Sequence, residues 1–288
     1  MDNNLVLNGF YSGKRVLIFG GAGFIGSNLA KKFLGLGAAV TIVDGFIEDT
    51  GADMENINEI KEDIVLYKSK IEDLDNIKQL IENSDLIIDS MALTAHNIGL
   101  EKPFLDVELN LLSHLYIINN LKDFQNKKVI YLGSVSQYAK ADSQGINKSA
   151  AEDYYRIYSE RYGFNVISLR IPNCYGENQK TKGEDIGLIG SFIRDILNNK
   201  EVEIYNSIER KKNIIYVKDL VDYIIKLIPK EDKCFKFYDV EGINVSLQEL
   251  LGEIIKITGK GSYSVKSKVE LIDLNTSLSN TIKYFEER

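Results

Sequence analysis

Four glycines follow a short apolar run near the N-terminus, and their spacing suits a phosphate-binding turn. Residues 16–19 are apolar, as in a strand that is buried on both faces. Gly20, Gly21, Gly23 and Gly26 come next, and apolar residues then recur at helical spacing. In such a turn Gly20 or Gly21 permits the tight bend, Gly23 lets the backbone approach a pyrophosphate, and Gly26 lets the helix lie close to the strand. The free N–H groups at the helix N-terminus would then face the phosphates.

An acidic residue stands where a dinucleotide site requires one. The next predicted strand covers residues 39–43 and is followed by Asp44. A carboxylate about 20 residues after such a turn accepts hydrogen bonds from the adenosine ribose hydroxyls and repels a 2′-phosphate. The combination of strand, glycine turn, helix and acid predicts that the chain binds NAD in preference to NADP. A glycine-rich turn without a ligand is the alternative interpretation.

Several motifs resemble those of the extended short-chain dehydrogenase/reductases, a family that includes nucleotide-sugar epimerases, 4,6-dehydratases and 4-ketoreductases. The glycines follow the pattern Gly-x-x-Gly-x-x-Gly, and Asn110 is similar to a helix Asn common to these enzymes. In the motif of the fourth strand, Asp89 replaces the usual His. Three further stretches also resemble family motifs: 131–139, 169–178 and 212–219. The resemblance covers nearly the whole chain and implies a Rossmann-type fold that binds NAD.

The resemblance also implies a set of catalytic residues. In this family a Tyr transfers the hydroxyl proton, and a Ser or Thr holds the oxygen. The Lys of Tyr-x-x-x-Lys lowers the Tyr pKa and binds the nicotinamide ribose. Ser134 and Lys148 stand at the Ser and Lys positions, but Gln144 occupies the Tyr position, and no Tyr-x-x-x-Lys occurs in the chain. A carboxamide forms hydrogen bonds but cannot transfer a proton near neutral pH, so Gln144 cannot replace the Tyr as a base.

Four explanations of Gln144 follow. The first is an oxidoreductase in which another group, His96 or Tyr138, transfers the proton or less help is needed. The second is a catalytically impaired protein that still binds NAD. The third is an engineered substitution, and the fourth is a slipped alignment, which the match around Lys148 opposes. We favour the first explanation because Ser134, Lys148 and Asn173 are all in place.

The predicted site residues fall into three groups. The catalytic group is Ser134, Lys148, Gln144 and His96. The cofactor contacts are Gly20, Gly23, Phe24, Ile25, Gly26, Asp44, Ala92, Lys148 and Asn173. The substrate contacts are Thr94, Tyr138, Asn173 and Lys212, of which Lys212 resembles the Arg that meets the substrate diphosphate. A structural role is the alternative for His96, and a solvated surface charge is the alternative for Lys212.

Apolar runs and helical patterns define the elements that must position these residues. Strands are predicted at 16–19, 39–43, 64–67, 86–88, 129–132, 166–169, 202–204, 214–217 and 235–238. Helices are predicted at 24–33, 74–81, 105–121, 150–162, 186–197, 220–227, 247–257 and 276–286. Residues 1–13 are expected to form a loose leader, and residues 45–62 an irregular loop over the adenosine. Strands that alternate with helices predict a parallel sheet covered on both faces.

These elements predict an α/β chain with a Rossmann-type doubly wound parallel sheet and a smaller C-terminal α/β substrate lobe. The NAD-binding domain is predicted at 1–171, with 213–230 returning to it, and the smaller lobe at 172–288. The helices at 105–121 and 150–162 resemble the pair that forms the family's dimer interface. The resemblance therefore implies a homodimer held by a four-helix contact.

The composition argues against several other classes of protein. The 288 residues are 44% hydrophobic and 27% charged, which suits a packed core rather than a disordered chain. A formal net charge of −7 argues against nucleic-acid binding. Neither a membrane span nor a secretory signal is evident, so we expect a cytoplasmic protein without a membrane partner. Two cysteines and two histidines form no metal-binding motif, so no metal is expected.

The family resemblance implies the function. We expect NAD-dependent oxidation, reduction or epimerisation of a nucleotide-activated sugar at C4, in surface polysaccharide biosynthesis. A non-catalytic NAD-binding protein or scaffold of the same fold is the alternative.

Overall fold

Strands and helices alternate through most of the chain. The computed structural model describes residues 3–48, 50–94, 96–125, 127–183, 186–205, 207–230, 234–266, 276, 278–279 and 282–283. The strands are β1 Arg15–Phe19, β2 Ala39–Asp44, β3 Ile64–Lys68, β4 Leu86–Asp89, β5 Lys128–Ser134, β6 Asn165–Ile171, β7 Asn173–Tyr175, β8 Val202–Tyr205, β9 Lys211–Tyr216, β10 Phe235–Asp239, β11 Ile243–Ser246 and β12 Tyr263–Lys266. The α-helices are α1 Asn3–Tyr11, α2 Phe24–Gly35, α3 Ile77–Glu82, α4 His96–Glu101, α5 Pro103–Val107, α6 Ser113–Leu121, α7 Ser136–Ala139, α8 Ser143–Tyr162, α9 Leu188–Leu197, α10 Val217–Leu227 and α11 Leu247–Thr258.

A seven-stranded parallel sheet has the order β10-β6-β5-β4-β1-β2-β3. The chain moves outward from β1 to β2 and β3, then crosses to β4 on the other side of β1. The connections that follow β1 and β4 therefore lead in opposite directions along the sheet, and ligands bind at such a switch point in open α/β sheets. Phe19 pairs with both Val43 and Asp89 in the sheet register, which brings the ends of three strands together. The predicted doubly wound sheet is confirmed.

Two apolar cores cover the two faces of this sheet. Val16 and Ile18 of β1 pack in one core with buried residues of α2 and α10. Leu17 and Phe19 pack in the other core with residues of α3, α6 and α8. Alternate side chains of β1 are therefore buried on opposite sides, which explains why the strand is apolar from residue 16 to residue 19.

The chain divides into two compact units, Met1–Ser191 with Asn213–Asn244, and Phe192–Lys212 with Val245–Arg288. The second unit contains α11 and a parallel pair formed by β8 and β12. Ser246 begins α11 with a capping box, in which its hydroxyl accepts from the N–H of Glu249 and the Glu249 carboxylate accepts from the N–H of Ser246. The smaller C-terminal α/β lobe is thus present. The exact domain limits and substrate binding by this lobe stay predictions.

Three local expectations are corrected. The described part of the predicted loose leader, residues 3–13, is ordered, because α1 is helical and Tyr11 is fully buried, with its hydroxyl donating to the carbonyl of Ile225 at 2.7 Å. The loop at 45–62 contains a 3₁₀-helix, Met54–Ile60. The helix at 105–121 is interrupted by a π-helix, Glu108–Leu112, between α5 and α6. Most of the predicted helix at 276–286 lies outside the described residues.

A membrane-spanning helix must be long and predominantly apolar. Within the described ranges, no helix has the length and apolar character that a bilayer span needs.

Candidate active site

The glycine turn lies between β1 and α2 at the switch point of the sheet. Gly20 has φ +74°, a conformation that side chains with a Cβ rarely adopt. A Cβ at Gly26 would lie 2.4 Å from the Gly20 carbonyl oxygen, so only glycine allows α2 to approach the turn this closely. Gly23 is the N-cap of α2 and supplies no side-chain cap. The first N–H groups of the helix can therefore bind a phosphate.

Asp44 ends β2 beside this turn and is held by two backbone groups. Its Oδ2 accepts from the N–H of Ala22 and its Oδ1 accepts from the N–H of Phe46, both at 2.9 Å. Burial raises the pKa of the Asp44 carboxyl group, and the two backbone hydrogen bonds oppose this shift. The carboxyl group is thereby fixed at the wall of a cavity of about 620 Å³, which Gly20 and Gly23 also line.

A second, larger cavity continues from the first. Its empty volume is about 1310 Å³, and the two cavities share Gly23, Gly51, Ser90 and Ala92. Most of the predicted site residues line it: Gly23, Phe24, Ile25, Ala92, Thr94, His96, Ser134, Gln144, Lys148 and Asn173. The two cavities together form a continuous cleft that runs from Asp44 past the glycine turn to the predicted catalytic residues.

The cleft fits the two halves of a dinucleotide. The end that Asp44 lines has the apolar side chains of Val43 and Ile47, which suit an adenine ring, beside a carboxyl group that suits the ribose. The open backbone between Gly20 and Gly26 suits the pyrophosphate. Lys148 in the other cavity suits the second ribose.

Ser134 is the last residue of β5 and lines the second cavity. The Ser134 Oγ accepts from the N–H of Ser136 at 3.2 Å. The Ser134 N–H donates to Oε1 of Gln137 at 2.8 Å, which fixes the backbone at the end of the strand. Since its oxygen accepts a backbone hydrogen bond, the Ser134 hydroxyl can still donate its own hydrogen to a ligand oxygen.

Lys148 lies on α8 and is 4% exposed. Its Nζ donates to the Leu132 carbonyl over a long 3.4 Å and lies 5.9 Å from the centre of the Tyr131 ring. Burial lowers the pKa of Lys148 to about 8, and the nearby charges of Asp89 and Asp106 oppose this shift. An ammonium with such weak protein contacts is suited to bind ribose hydroxyls.

Gln144 also lies on α8 and is buried. Its Nε2 donates to the Leu93 carbonyl at 2.8 Å. Asn110, on the π-helix, donates to the same carbonyl at 2.9 Å and accepts from the Leu93 N–H at 3.1 Å. The amide at the Tyr position therefore links α8 to the segment after β4 by a hydrogen bond. It cannot act as an acid or a base near neutral pH.

The predicted substrate contact Tyr138 does not line this cleft. The Tyr138 hydroxyl donates to Asp239, and the Arg170 guanidinium lies 4.6 Å from the centre of its ring. Lys212 belongs to the second unit, where burial and next the charge of Arg210 lower its pKa. Substrate binding by Tyr138 and Lys212 stays a prediction.

Sequence reasoning missed one acidic group, Asp142, and the partners of another, Asp89. Asp142 caps α8 and contacts His96, since its Oδ2 lies 2.8 Å from the ring Nδ1. An Asp before a helix is a recognisable N-cap signal. The apolar spacing predicts this helix only from residue 150, so the sequence does not identify Asp142 as its cap. Asp89 is evident in its motif, but its pairing with a histidine from a distant helix could not be inferred from the sequence.

Asp89 is fully buried at the end of β4. Its Oδ2 lies 2.7 Å from Nδ1 of His114 on α6 and accepts from the Tyr155 hydroxyl on α8, also at 2.7 Å. Burial, followed by the charge of Asp89, raises the pKa of Tyr155, so its hydroxyl remains a donor. The residue that replaces the family's His thus joins one strand to two helices behind the cleft.

Known proteins of similar sequence and structure cover most of the chain. It is 29% identical over 259 residues to a dTDP-4-dehydro-6-deoxyglucose reductase of Escherichia coli, which covers 83% of this chain and 80% of the relative. It is 27% identical over 285 residues to a UDP-N-acetyl-alpha-D-glucosaminuronate decarboxylase of Bacillus cytotoxicus, covering 90% and 85%. It shares its fold with a UDP-glucuronic acid 4-epimerase of Bacillus cereus, in complex with UDP-glucuronic acid and NAD. That likeness has a TM-score of 0.78 over 88% of this chain and 87% of the other, at 19% identity.

A model described as the NAD dependent epimerase/dehydratase family matches residues 16–240, which include the glycine turn, Asp44 and every predicted catalytic residue. Because the match covers most of the chain, this protein belongs to the NAD-dependent epimerase/dehydratase family, and NAD is its cofactor.

Proposed function

We propose that this protein is an NAD-dependent oxidoreductase or epimerase that acts at C4 of a nucleotide-activated sugar in surface polysaccharide biosynthesis. The names of its relatives support this substrate class. The single observation that carries the proposal is the continuous cleft, which joins the dinucleotide cradle to Ser134, Lys148 and His96. When bound, NAD accepts a hydride from the sugar carbon or returns it. The protein must therefore hold the sugar oxygen and move its proton.

The cleft residues divide this work. Ser134 donates a hydrogen bond to the sugar oxygen, and Lys148 binds the nicotinamide ribose. His96 exchanges the hydroxyl proton, because its imidazole lines the cleft with Ser134 and Lys148 and can both accept and donate a proton. Thr94 and Asn173 contact the sugar.

The same proposal includes a homodimer. The helices α6 and α8, with the helical segment before α6, would form a four-helix contact with a second copy. Exposed apolar side chains on these elements support the contact, and they include Leu112, Tyr116, Tyr154 and Ile157.

A second candidate function is an NAD-binding protein that has lost catalysis. The hydrogen bond from Gln144 to the Leu93 carbonyl favours it, since the amide at the Tyr position is used to fasten the structure. Such a protein would bind NAD tightly and could sense the cofactor or act as a scaffold.

Turnover on nucleotide sugars distinguishes the two candidates. Purified protein is incubated with NAD and, separately, UDP- and dTDP-linked hexoses, and reduced nicotinamide absorbance is followed together with product analysis. We expect at least one sugar to be converted and Ser134→Ala to lower kcat by about 10²–10³-fold, the usual cost of one hydrogen bond to a reacting oxygen.

Ser149→Ala is the matched control, because Ser149 lies on α8 beside Lys148 but does not line the cleft. It should retain wild-type kcat. NAD binding by calorimetry without conversion of any sugar would instead support the non-catalytic candidate.

A further inference from the structure

His96 begins α4 and lines the second cavity together with Ser134 and Lys148. Its side chain is 49% exposed, as expected at the mouth of a cleft. The carboxylate of Asp142 lies against the ring, with 2.8 Å between Oδ2 and Nδ1. The histidine proposed to exchange the proton therefore has an acidic partner on a different element.

Asp142 uses both carboxylate oxygens. While Oδ2 meets the His96 ring, Oδ1 accepts from the N–H of Gly145 at 2.8 Å and caps the first turn of α8. This helix also carries Gln144 and Lys148. One side chain thus fixes the His96 ring relative to the helix that presents Lys148.

The contact decides which ring nitrogen carries hydrogen. A carboxylate only accepts hydrogen bonds, so the neutral His96 ring must hold its hydrogen on Nδ1 to donate to Asp142. The lone pair of the ring then lies on Nε2, the nitrogen that can accept a proton. A fixed tautomer of this kind is what a general base requires.

We propose that Asp142 is a positioning residue that sets the tautomer of His96, so that Nε2 accepts the proton of the sugar hydroxyl. This inference rests on the proposed function. In the oxidation direction the O–H bond breaks and an N–H bond forms at Nε2. The hydrogen on the carbon leaves as hydride to the nicotinamide, and a C=O double bond forms. The positive imidazolium is then balanced by the Asp142 carboxylate, and reduction returns the same proton to the oxygen.

Replacing Asp142 with two different residues separates this role from helix capping. Asn caps helices about as well as Asp, so Asp142→Asn retains the cap on α8. Its amide can donate to Nδ1, which places the ring hydrogen on Nε2 and removes the base. Asp142→Ala loses both the cap and the ring partner.

We expect both variants to lower kcat by about 10²–10⁴-fold, to the level of His96→Ala, while only Asp142→Ala lowers the melting temperature. A role in capping alone predicts that Asp142→Asn is as active as the wild type. That result would overturn the inference and leave the proposed function intact. If the wild type converts no nucleotide sugar, the proposed function itself is wrong and the inference fails with it.

A spectroscopic readout tests the tautomer without turnover. The chain has two histidines, so long-range ¹H–¹⁵N spectra of histidine-labelled protein contain two rings, and His96→Ala assigns them. We expect His96 in the Nδ1–H form in the wild type and in the Nε2–H form in Asp142→Asn. An Nε2–H ring in the wild type would contradict the inference.

Discussion

At the residue scale, the cleft has a lysine at the family's Lys position but a glutamine at the Tyr position. Gln144 is held by the Leu93 carbonyl, and Lys148 remains buried with one long hydrogen bond. A lysine in the family lowers the pKa of a neighbouring Tyr, but Gln144 has no acidic hydrogen to be influenced. Lys148 is therefore left with binding the cofactor ribose as its expected role, and its burial costs stability for that purpose.

Replacing Lys148 with Met should stabilise the protein without NAD. Its pKa is about 8 in the folded chain against an ordinary 10.5. The unfolded state therefore binds more protons between these pH values, and the unfolding free energy rises with pH across that window. Below about pH 8 the folded protein carries the full cost of the buried ammonium. Lys148→Met should raise the unfolding free energy at pH 7 by up to about 3 kcal/mol, and by much less above pH 10.

Urea unfolding followed by circular dichroism at pH 7 and above pH 10 measures this difference. Lys61→Met, on an exposed side chain, is the control and should change little. A Lys148→Met protein that is less stable than the wild type at pH 7 would show that the ammonium contributes favourably to the fold.

At the element scale, the contact between the glycine turn and α2 sets the shape of the cradle. A Cβ at Gly26 would lie 2.4 Å from the Gly20 carbonyl oxygen and 2.7 Å from the Ser90 hydroxyl. The first of these atoms is backbone, so the helix itself would have to move. Such a movement displaces the N–H groups that we expect to bind the pyrophosphate.

Gly26→Ala should therefore weaken NAD binding at least tenfold and lower the unfolding free energy by about 1–3 kcal/mol, as overpacking usually does. Gly35→Ala is a control on the same helix, because a Cβ there meets no atom within 4 Å. It should leave the NAD affinity unchanged and stabilise the protein by about 0.5–1 kcal/mol. Calorimetric titration with NAD and urea unfolding measure both effects, and an unchanged affinity in Gly26→Ala would contradict this view of the turn.

Sequence patterns predict best those helices and strands whose burial can be inferred from the residues of one segment alone. The inner strands β1, β4 and β5 are buried on both faces, so they appear in the sequence as apolar runs at nearly their observed limits. The start of α8 was missed because residues 143–149 are mostly polar and lack helical apolar spacing. The helix α1 was missed because Tyr11 becomes buried only through contact with the distant α10.

The residues of the candidate site divide in the same way, into those that a local motif predicts and those that only tertiary contacts bring together. Motif spacing was enough to predict that Ser134, Gln144 and Lys148 share a cleft, although their functional roles are still untested. The partners of His96 and Asp89 come from distant parts of the chain, Asp142 in the first case and His114 with Tyr155 in the second. Such pairs depend on tertiary contacts that no local pattern contains.

At the scale of the whole molecule, apolar side chains remain exposed on the outer helices of the first unit. Phe104 on α5 is 91% exposed, and Ile157 on α8 is 51% exposed. Tyr116 on α6 is 44% exposed. Exposed apolar groups on neighbouring elements are a common property of surfaces that bind another protein. The proposed homodimer would cover them.

Ile157→Glu should shift the protein from dimer to monomer, because a charged side chain would be buried without a partner in the contact. Sedimentation equilibrium over a range of concentrations measures the change. Ile257→Glu is the control, since Ile257 lies on α11 in the second unit and is 80% exposed. It should leave the mass unchanged, and a wild type that is monomeric at every concentration would contradict the proposed dimer.

The junction at Asp89 has a consequence for how the protein loosens. Its carboxyl group has no exposure to solvent and connects β4 to α6 and α8. Separating any one of these elements would break a buried hydrogen bond and leave a polar group without its partner. We therefore expect local opening of this region to be cooperative, so that the three elements separate together. The helix α8 carries Ile157 on its outer side and Lys148 on its inner side. A partner bound to the outer side would therefore also reduce the motion of the Lys148 ammonium group, which we expect to bind the ribose.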